Sequence, residues 1–408
     1  MSTSYPLARI KIVLLENIHP LAAESLREAG FTVETHRGAL EEDALLGAAG
    51  DAHLVGIRSK TQLTPSFFER APRLWGVGCF CIGTNQVALG AAAERGVAVF
   101  NAPFSNTRSV AELTIAEVVA LSRTLGDRSA QMHAGVWTKS ADGAHEVRGR
   151  TLGIVGYGRI GSQVSILAEA MGMRVVYFDT SNTLPLGNAQ PRSTLAEVLR
   201  EADVVSLHVP ATPSTRGLIG ARELALMKPG AHLINNARGE VVDDQALAGA
   251  LRSGALGGAA VDVFPREPSG NTEPFDSPLR GAPNVILTPH IAGSTEEAQR
   301  NIADEVAAKL IKFMNNGSTS TAVNVPQVEL PVLHPGHRRI LHFHRNVPGV
   351  LSRMHKMMAD LGVNITAEYL QSDPRHSYVI VDVEPGQDEA LREGLKSIPE
   401  TIRVRTLW

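Results

Sequence analysis

The stretch Thr151-Leu-Gly-Ile-Val-Gly-Tyr-Gly-Arg-Ile-Gly161 decides how the rest of the chain is read. The apolar run Leu152 to Val155 leads straight into Gly156-x-Gly158-x-x-Gly161. Apolar residues then recur at Ile160, Val164, Leu167, Ala168 and Met171, which is helix spacing. The glycines therefore fall where a strand ends and a helix begins. Gly156 makes the tight turn, Gly158 lets a pyrophosphate touch the backbone, and Gly161 lets helix and strand pack closely. The free N–H groups of the helix start face the phosphates, and the helix dipole favours their charge. A second apolar run, Val175 to Phe178, ends in Asp179, about 20 residues on, where a carboxylate accepts hydrogen bonds from a ribose. A bare glycine triplet also occurs in flexible loops. Here strand, helix, second strand and terminal acid agree on a dinucleotide site, and Asp179 in place of an arginine points to NAD over NADP.

The chain has 408 residues, 43% of them hydrophobic, and a formal net charge of −3, so two or three domains with packed cores are expected. Near-balanced charge gives no nucleic-acid or membrane surface. No apolar run reaches the ~18 residues of a membrane span, and Ile10 to Leu15 is too short for a signal-peptide core. Cys79 and Cys81 are too close for an easy disulfide and lack metal partners nearby; they read as two buried thiols. No metal site is expected, and the whole fits a cytosolic protein.

Before the glycine stretch, short strands alternate with helices: Ile10–Leu15, Thr32–Thr35, Leu54–Ile57, Leu74–Cys79 and Val97–Phe100 form a parallel sheet. A helix follows from Ser109 to Leu125, and 133–150 reads as loop or broken helix. After Asp179 come strands at Val204–Leu207, Leu233–Asn235, Ala259–Val263 and Val285–Leu287, about six in all, as a dinucleotide sheet requires. A long helix runs from Thr295 to Met314. Residues 315–336, rich in Ser, Thr, Asn and Pro, read as a linker. The last ~70 residues read as βαββαβ, a small ferredoxin-like unit.

Oxidising an alcohol by hydride transfer needs a base for the hydroxyl proton and an anchor for a substrate carboxylate. Three residues sit at carboxyl ends of strands, where an open α/β sheet gathers ligands: Arg238, Glu267 and His290. Histidine exchanges protons near neutral pH, a carboxylate beside it orients the ring and raises its pKa, and arginine offers a planar fork. Taken singly, each has an ordinary alternative. A strand-end histidine is more often a structural hydrogen-bonder, and there are 14 histidines.

These segments together resemble one family. Leu152–Gly161, Met227-Lys-Pro-Gly-Ala-His-Leu-Ile-Asn-Asn-Ala-Arg-Gly239, Val261-Asp-Val-Phe-Pro-Arg-Glu-Pro268, Leu287-Thr-Pro-His-Ile-Ala-Gly-Ser294 and Asn101–Glu112 match the D-isomer-specific 2-hydroxyacid dehydrogenases. The similarity is greatest to short bacterial members that oxidise D-3-phosphoglycerate to 3-phosphohydroxypyruvate, the first step of L-serine synthesis. The resemblance implies two Rossmann-like doubly wound domains and a C-terminal ACT domain. The substrate domain is discontinuous, 1–106 with 295–330; the NAD domain is 107–294; the ACT domain is 337–408. It implies that His290 is the acid/base, that Glu267 supports it, and that Arg238 holds carboxylate and C2 oxygen. NAD is expected on Gly156, Gly158, Arg159, Ile160, Gly161, Asp179, Asn236, Ala237, Arg238, Asp262 and the run His290, Ile291, Ala292, Gly293. Arg58, Ser59, Asn106 and Gln299 are expected at the substrate phosphate, with Lys139 also on the substrate side. An arginine with N–H and hydroxyl donors suits a dianion, although Ser59 and Asn106 are also common helix caps. A glyoxylate or hydroxypyruvate reductase, a corepressor-like NAD sensor, and 2-oxoglutarate reduction as a side activity are the alternatives.

The tail resembles an ACT domain through His344-Arg-Asn-Val-Pro-Gly349 and Leu361-Gly-Val-Asn364. That resemblance implies L-serine held between two chains by His344, Asn346 and Asn364, inhibition from a distance, and a homotetramer. Asn346 as a helix cap in a mere dimerisation module is the plainer alternative.

Overall fold

In this computed structural model, which describes residues 6–268 and 273–407, the strands form three sheets. The first is parallel: β1 (Lys11–Leu14), β2 (Thr32–Thr35), β3 (Leu54–Ile57), β4 (Gly76–Cys79) and β5 (Ala98–Asn101), in the order β2-β1-β3-β4-β5. β3, β4 and β5 are buried throughout, as continuous apolar strands in a sheet covered on both faces must be. One face packs against Ile302, Val306, Leu310 and Phe313 of the Glu296–Asn316 helix. Cys79 is buried, and Cys81 is only partly so.

The second sheet is also parallel: β6 (Thr151–Val155), β7 (Arg174–Phe178), β8 (Gln190–Pro191), β9 (Val204–Leu207), β10 (His232–Asn235), β11 (Gly258–Val261) and β12 (Val285–Leu287). Its order is β8-β7-β6-β9-β10-β11-β12. The chain reverses direction across the sheet between β6 and β9, so a crevice opens at their carboxyl ends. Two-residue β8 is one strand more than the sequence suggests, too short to leave a pattern. The preceding helix ends at Ser122, Thr124 takes a left-handed φ of 46°, and a second helix runs from Leu125 to His133.

The chain divides into two compact units, Met1–Ser105 with Gln299–Trp408, and Asn106–Ala298. The first holds the five-stranded sheet and the C-terminal sheet; the second holds the seven-stranded one. The C-terminal sheet is antiparallel, β14-β15-β13-β16, from β13 (Arg338–Arg345), β14 (Ile365–Ser372), β15 (His376–Val383) and β16 (Thr401–Leu407). Helices Val350–Asp360 and Asp388–Lys396 complete the βαββαβ order.

The stretch 315–336 is not a loose tether. Ala322, Val325, Val328 and Leu330 enter the core of the first sheet. Thr319 Oγ1 donates to Pro326 O at 2.7 Å, and Asn324 accepts the Val99 N–H at 2.8 Å. Its hydroxyls and amides satisfy buried backbone, which is why a linker-like composition folds down. Arg339, 0% exposed, pairs both carboxylate oxygens of Asp382 at 2.7 Å and donates to Pro331 O at 2.8 Å. That satisfies most of a buried charge whose desolvation is otherwise costly.

Candidate functional site

The glycine turn has the geometry its sequence demands. Gly156 has φ +92°, and a Cβ there would sit 2.8 Å from His208 O, just beyond β9. A Cβ on Gly161 would lie 2.3 Å from Gly156 O; helix and turn touch backbone to backbone. At Gly158 a Cβ would meet nothing within 4 Å. Open space thus lies before the first turn of the Arg159–Ala170 helix, whose leading N–H groups have no partner inside the helix. Asp179 accepts the Tyr157 and Ser181 N–H groups, each at 2.7 Å, and keeps lone pairs for hydroxyl donors. These residues fit a dinucleotide: open backbone for its phosphates, a carboxylate for its ribose.

The predicted dyad forms. His290 Nδ1 lies 2.9 Å from Glu267 Oε2 and 3.1 Å from Oε1. Glu267 also accepts the Phe264 N–H at 3.1 Å. His290 has a left-handed φ of 55°, rare for a residue with a Cβ. Its N–H to Asp262 O at 2.9 Å helps hold it there. The hydrogen bond to Glu267 raises the His290 pKa above its ordinary value, against partial burial, which lowers it. Burial pushes the Glu267 carboxyl up, but the bonds from His290 and the Phe264 N–H outweigh it, and the net direction is down. With Nδ1 on the carboxylate, Nε2 is the nitrogen left to exchange a proton.

Four residues to which the sequence assigned no role, Thr288, Asn235, Thr114 and Glu117, build this site. Thr288 donates to Asp262 Oδ1 at 2.6 Å, while the Ile291 and Ala292 N–H groups reach the Asp262 oxygens at 2.8 Å. Asp262, 1% exposed, thereby shapes the whole His290–Ala292 turn. Buried Asn235 donates to Arg238 O at 3.1 Å and accepts the Ala237 N–H at 3.2 Å. Arg238 Nη1 donates to Ala237 O at 2.6 Å. Asn236 Nδ2 reaches Thr114 at 3.1 Å and Glu117 at 2.6 Å. A Cβ on Gly239 would fall 2.0 Å from the Phe264 carbonyl carbon, so the Arg238 and Glu267 loops run in contact. Apart from Asp262, already named, pairing with residues distant in sequence reveals Thr288, Thr114 and Glu117, and the turn that it braces reveals Asn235.

Asn106 belongs with this unit. Its side chain does not cap the Thr107–Ser122 helix. It lies against Gly293, where a Cβ would be 2.0 Å from its Nδ2. Lys139 is exposed on a loop beside Trp137, which is 78% exposed.

Arg58, Ser59 and Gln299 belong to the other unit. In the β2-β1-β3-β4-β5 order the crevice lies between β1 and β3, and Arg58 follows β3 directly. Glu16, with φ 62°, accepts the Lys60 and Thr61 N–H groups at 3.0 and 2.8 Å, pinning the loop after Arg58. Gln86 donates to Arg58 O at 2.5 Å. A cavity of about 1320 Å³ in the same unit, lined by Arg73, Trp75, Lys312 and the 332–338 segment, contains none of the predicted site residues.

Residues 115–292 match the D-isomer specific 2-hydroxyacid dehydrogenase NAD binding domain, and 340–405 match an AHAS small subunit-like ACT domain. The chain is 54% identical over 403 residues to D-3-phosphoglycerate dehydrogenase of Escherichia coli, covering 98% of both. It belongs to the D-isomer-specific 2-hydroxyacid dehydrogenases. The Dictyostelium discoideum D-3-phosphoglycerate dehydrogenase is 48% identical over 407 residues, 100% of this chain and 99% of that protein. D-lactate dehydrogenase with NAD+ from Lactobacillus jensenii superposes with a TM-score of 0.69 at 28% identity, covering 77% of this chain and 99% of that one.

The dehydrogenase carries its C-terminal sheet in the segment that matches the ACT domain. His344 is 2% exposed, with Nδ1 2.8 Å from Arg345 O and Nε2 without a hydrogen bond. Asn346 is no helix cap: it donates to Asp373 O at 2.8 Å, and Gly349 precedes the helix. Asn364 donates to Glu384 at 3.1 Å. In the register, Arg345 faces His376 and Ile365 faces Val383. His376 and Val383 are about 23 Å apart at ~3.3 Å per residue, so Asn346 and Asn364, one residue further out, lie beyond opposite ends of β15.

Proposed function

We propose that this dehydrogenase oxidises the C2 hydroxyl of D-3-phosphoglycerate to give 3-phosphohydroxypyruvate, the first step of L-serine synthesis, in the cytoplasm. The His290–Glu267 pair beside the Arg238 loop carries the reading. His290 Nε2 takes the hydroxyl proton, while Glu267 fixes the ring and stabilises the imidazolium that forms. Arg238 grips the carboxylate and C2 oxygen. NAD+, when bound, would supply the hydride acceptor; Gly156, Gly158, Arg159, Ile160, Gly161 and Asp179 would hold one end and Asn236–Arg238, Asp262 and His290–Gly293 the other. Arg58, Ser59, Asn106 and Gln299 meet the phosphate, and Lys139 closes the substrate side.

The tail supports inhibition by L-serine. His344 and Asn346 stand at one end of the sheet and Asn364 at the other, so a pocket using all three draws on two chains. A homotetramer supplies such pairs. Allostery then requires serine to prefer one of two domain arrangements.

Initial rates with NAD+ and 3-phosphoglycerate test the reading, against NADH with glyoxylate or hydroxypyruvate. Turnover of 3-phosphoglycerate, inhibited by serine, is expected. Turnover of glyoxylate alone would assign a reductase, and tight NADH binding without any turnover a sensor.

A further inference from the structure

Glu117 sits where a carboxylate is costly. It projects from the Thr107–Ser122 helix and is 2% exposed, among Ala111, Val118 and Leu121 of the second unit's core. Its Oε2 accepts from Asn236 Nδ2 at 2.6 Å. Among the described residues, its Oε1 has no hydrogen bond, nor does Asn236 Oδ1. Two buried acceptors without donors, on the two members of one pair, are each expensive as they stand. One proton resolves both. A carboxylic acid facing a carboxamide makes two reciprocal bonds, amide N–H to one carboxyl oxygen and carboxyl O–H to the amide oxygen.

We propose that Glu117 is a positioning residue which, as a neutral acid paired with Asn236, locks the Asn236-Ala237-Arg238 segment in its binding conformation. Asn236 begins the turn after β10, and Arg238 ends it. The proposal rests on the reading above, in which that turn holds nucleotide and substrate carboxylate. Burial raises the Glu117 pKa, the Asn236 bond opposes this, and the charge of Asp262 adds to it, leaving the group at about 7. Asp262, from the end of β11, is the charged group that acts on it; Thr114 and Asn236 are neutral. Loss of the proton breaks one of the two bonds and buries a second negative charge near Asp262. The segment then loosens.

NADH affinity, read by fluorescence titration from pH 6 to 8.5, tests this in wild type, Glu117→Gln and Glu117→Ala. Glutamine keeps the size and a donor–acceptor pair but cannot ionise. Wild-type affinity should fall above pH 7, approaching tenfold per pH unit if only the protonated form binds. Glu117→Gln should match wild type at pH 6.5 and stay flat to pH 8.5, while Glu117→Ala should bind roughly tenfold or more weakly throughout. The pair is overturned if wild type and Glu117→Gln follow the same pH course, or if glutamine binds as poorly as alanine at pH 6.5. A wild type that binds no NADH at any pH would overturn the nucleotide reading itself, and this proposal with it.

Discussion

Each parallel sheet has a topological switch point, β1/β3 in one and β6/β9 in the other, but the two crevices are finished differently. At β6 the finish is bare backbone. Gly156 and Gly161 meet neighbouring backbone with no room for a Cβ, and Gly158 faces open space. At β3 the finish is side chains: Arg58 supplies a cation, and the Glu16 carboxylate pins the loop behind it. The first suits a pyrophosphate, whose charge spreads over many N–H groups and a helix dipole. The second suits one compact dianion met by a guanidinium fork. On the proposed function, one fold principle serves a shared cofactor and a particular substrate, and the distinction lies in loops rather than sheets.

The sharpest way to break this division is at the His290–Glu267 dyad. His290→Ala should lower kcat by about 10²–10⁴-fold, the usual worth of a general base, while NADH still binds by fluorescence. Near-normal turnover would remove His290 from the mechanism. Next in size, Arg58→Ala should raise KM for 3-phosphoglycerate roughly 10–100-fold, as loss of a charge-assisted bond costs about 1.5–3 kcal/mol. NAD+ affinity should not change; if both ligands weaken together, the crevices are not separate in function. Glu267→Gln sharpens the picture through pH. Oxidation needs neutral imidazole, so its rate rises as pH passes through the His290 pKa. Glu267 holds that pKa above the ordinary histidine value; without the carboxylate the acid limb of kcat/KM against pH should move to lower pH. An unmoved limb would deny the coupling. Smallest in effect on turnover, Asn346→Ala should leave the uninhibited rate near wild type and abolish most serine inhibition. Equal inhibition of the variant would clear Asn346 of a role.

The sheets and the dyad were legible in sequence because each rests on a local signal. Apolar runs mark β6 and β7. Glu267 and His290 each stand in a short motif at a strand end. Glu16, Glu117, Asn235 and Thr288 were not legible. Glu16 and Glu117 are polar residues in ordinary-looking segments with partners distant in sequence, while Asn235 and Thr288 lie inside the quoted motifs, where only their hydrogen bonds show what they hold. Glu117 and Asn236 lie 119 residues apart, and Glu16 and Thr61 lie 45 apart. The 315–336 segment misled for a related reason: hydroxyls and amides read as solvent-facing were spent on buried backbone.

Specificity for the phosphate is the centre of this account, and one comparison tests it directly. With NAD+ saturating, kcat/KM should be measured for 3-phosphoglycerate and for D-glycerate, which lacks the phosphate, in wild type and Arg58→Ala. Wild type should prefer the phosphorylated substrate strongly, and the variant should lose most of that preference while oxidising D-glycerate as before. Equal use of both substrates by wild type, or an undiminished preference in Arg58→Ala, would contradict the division of labour drawn here.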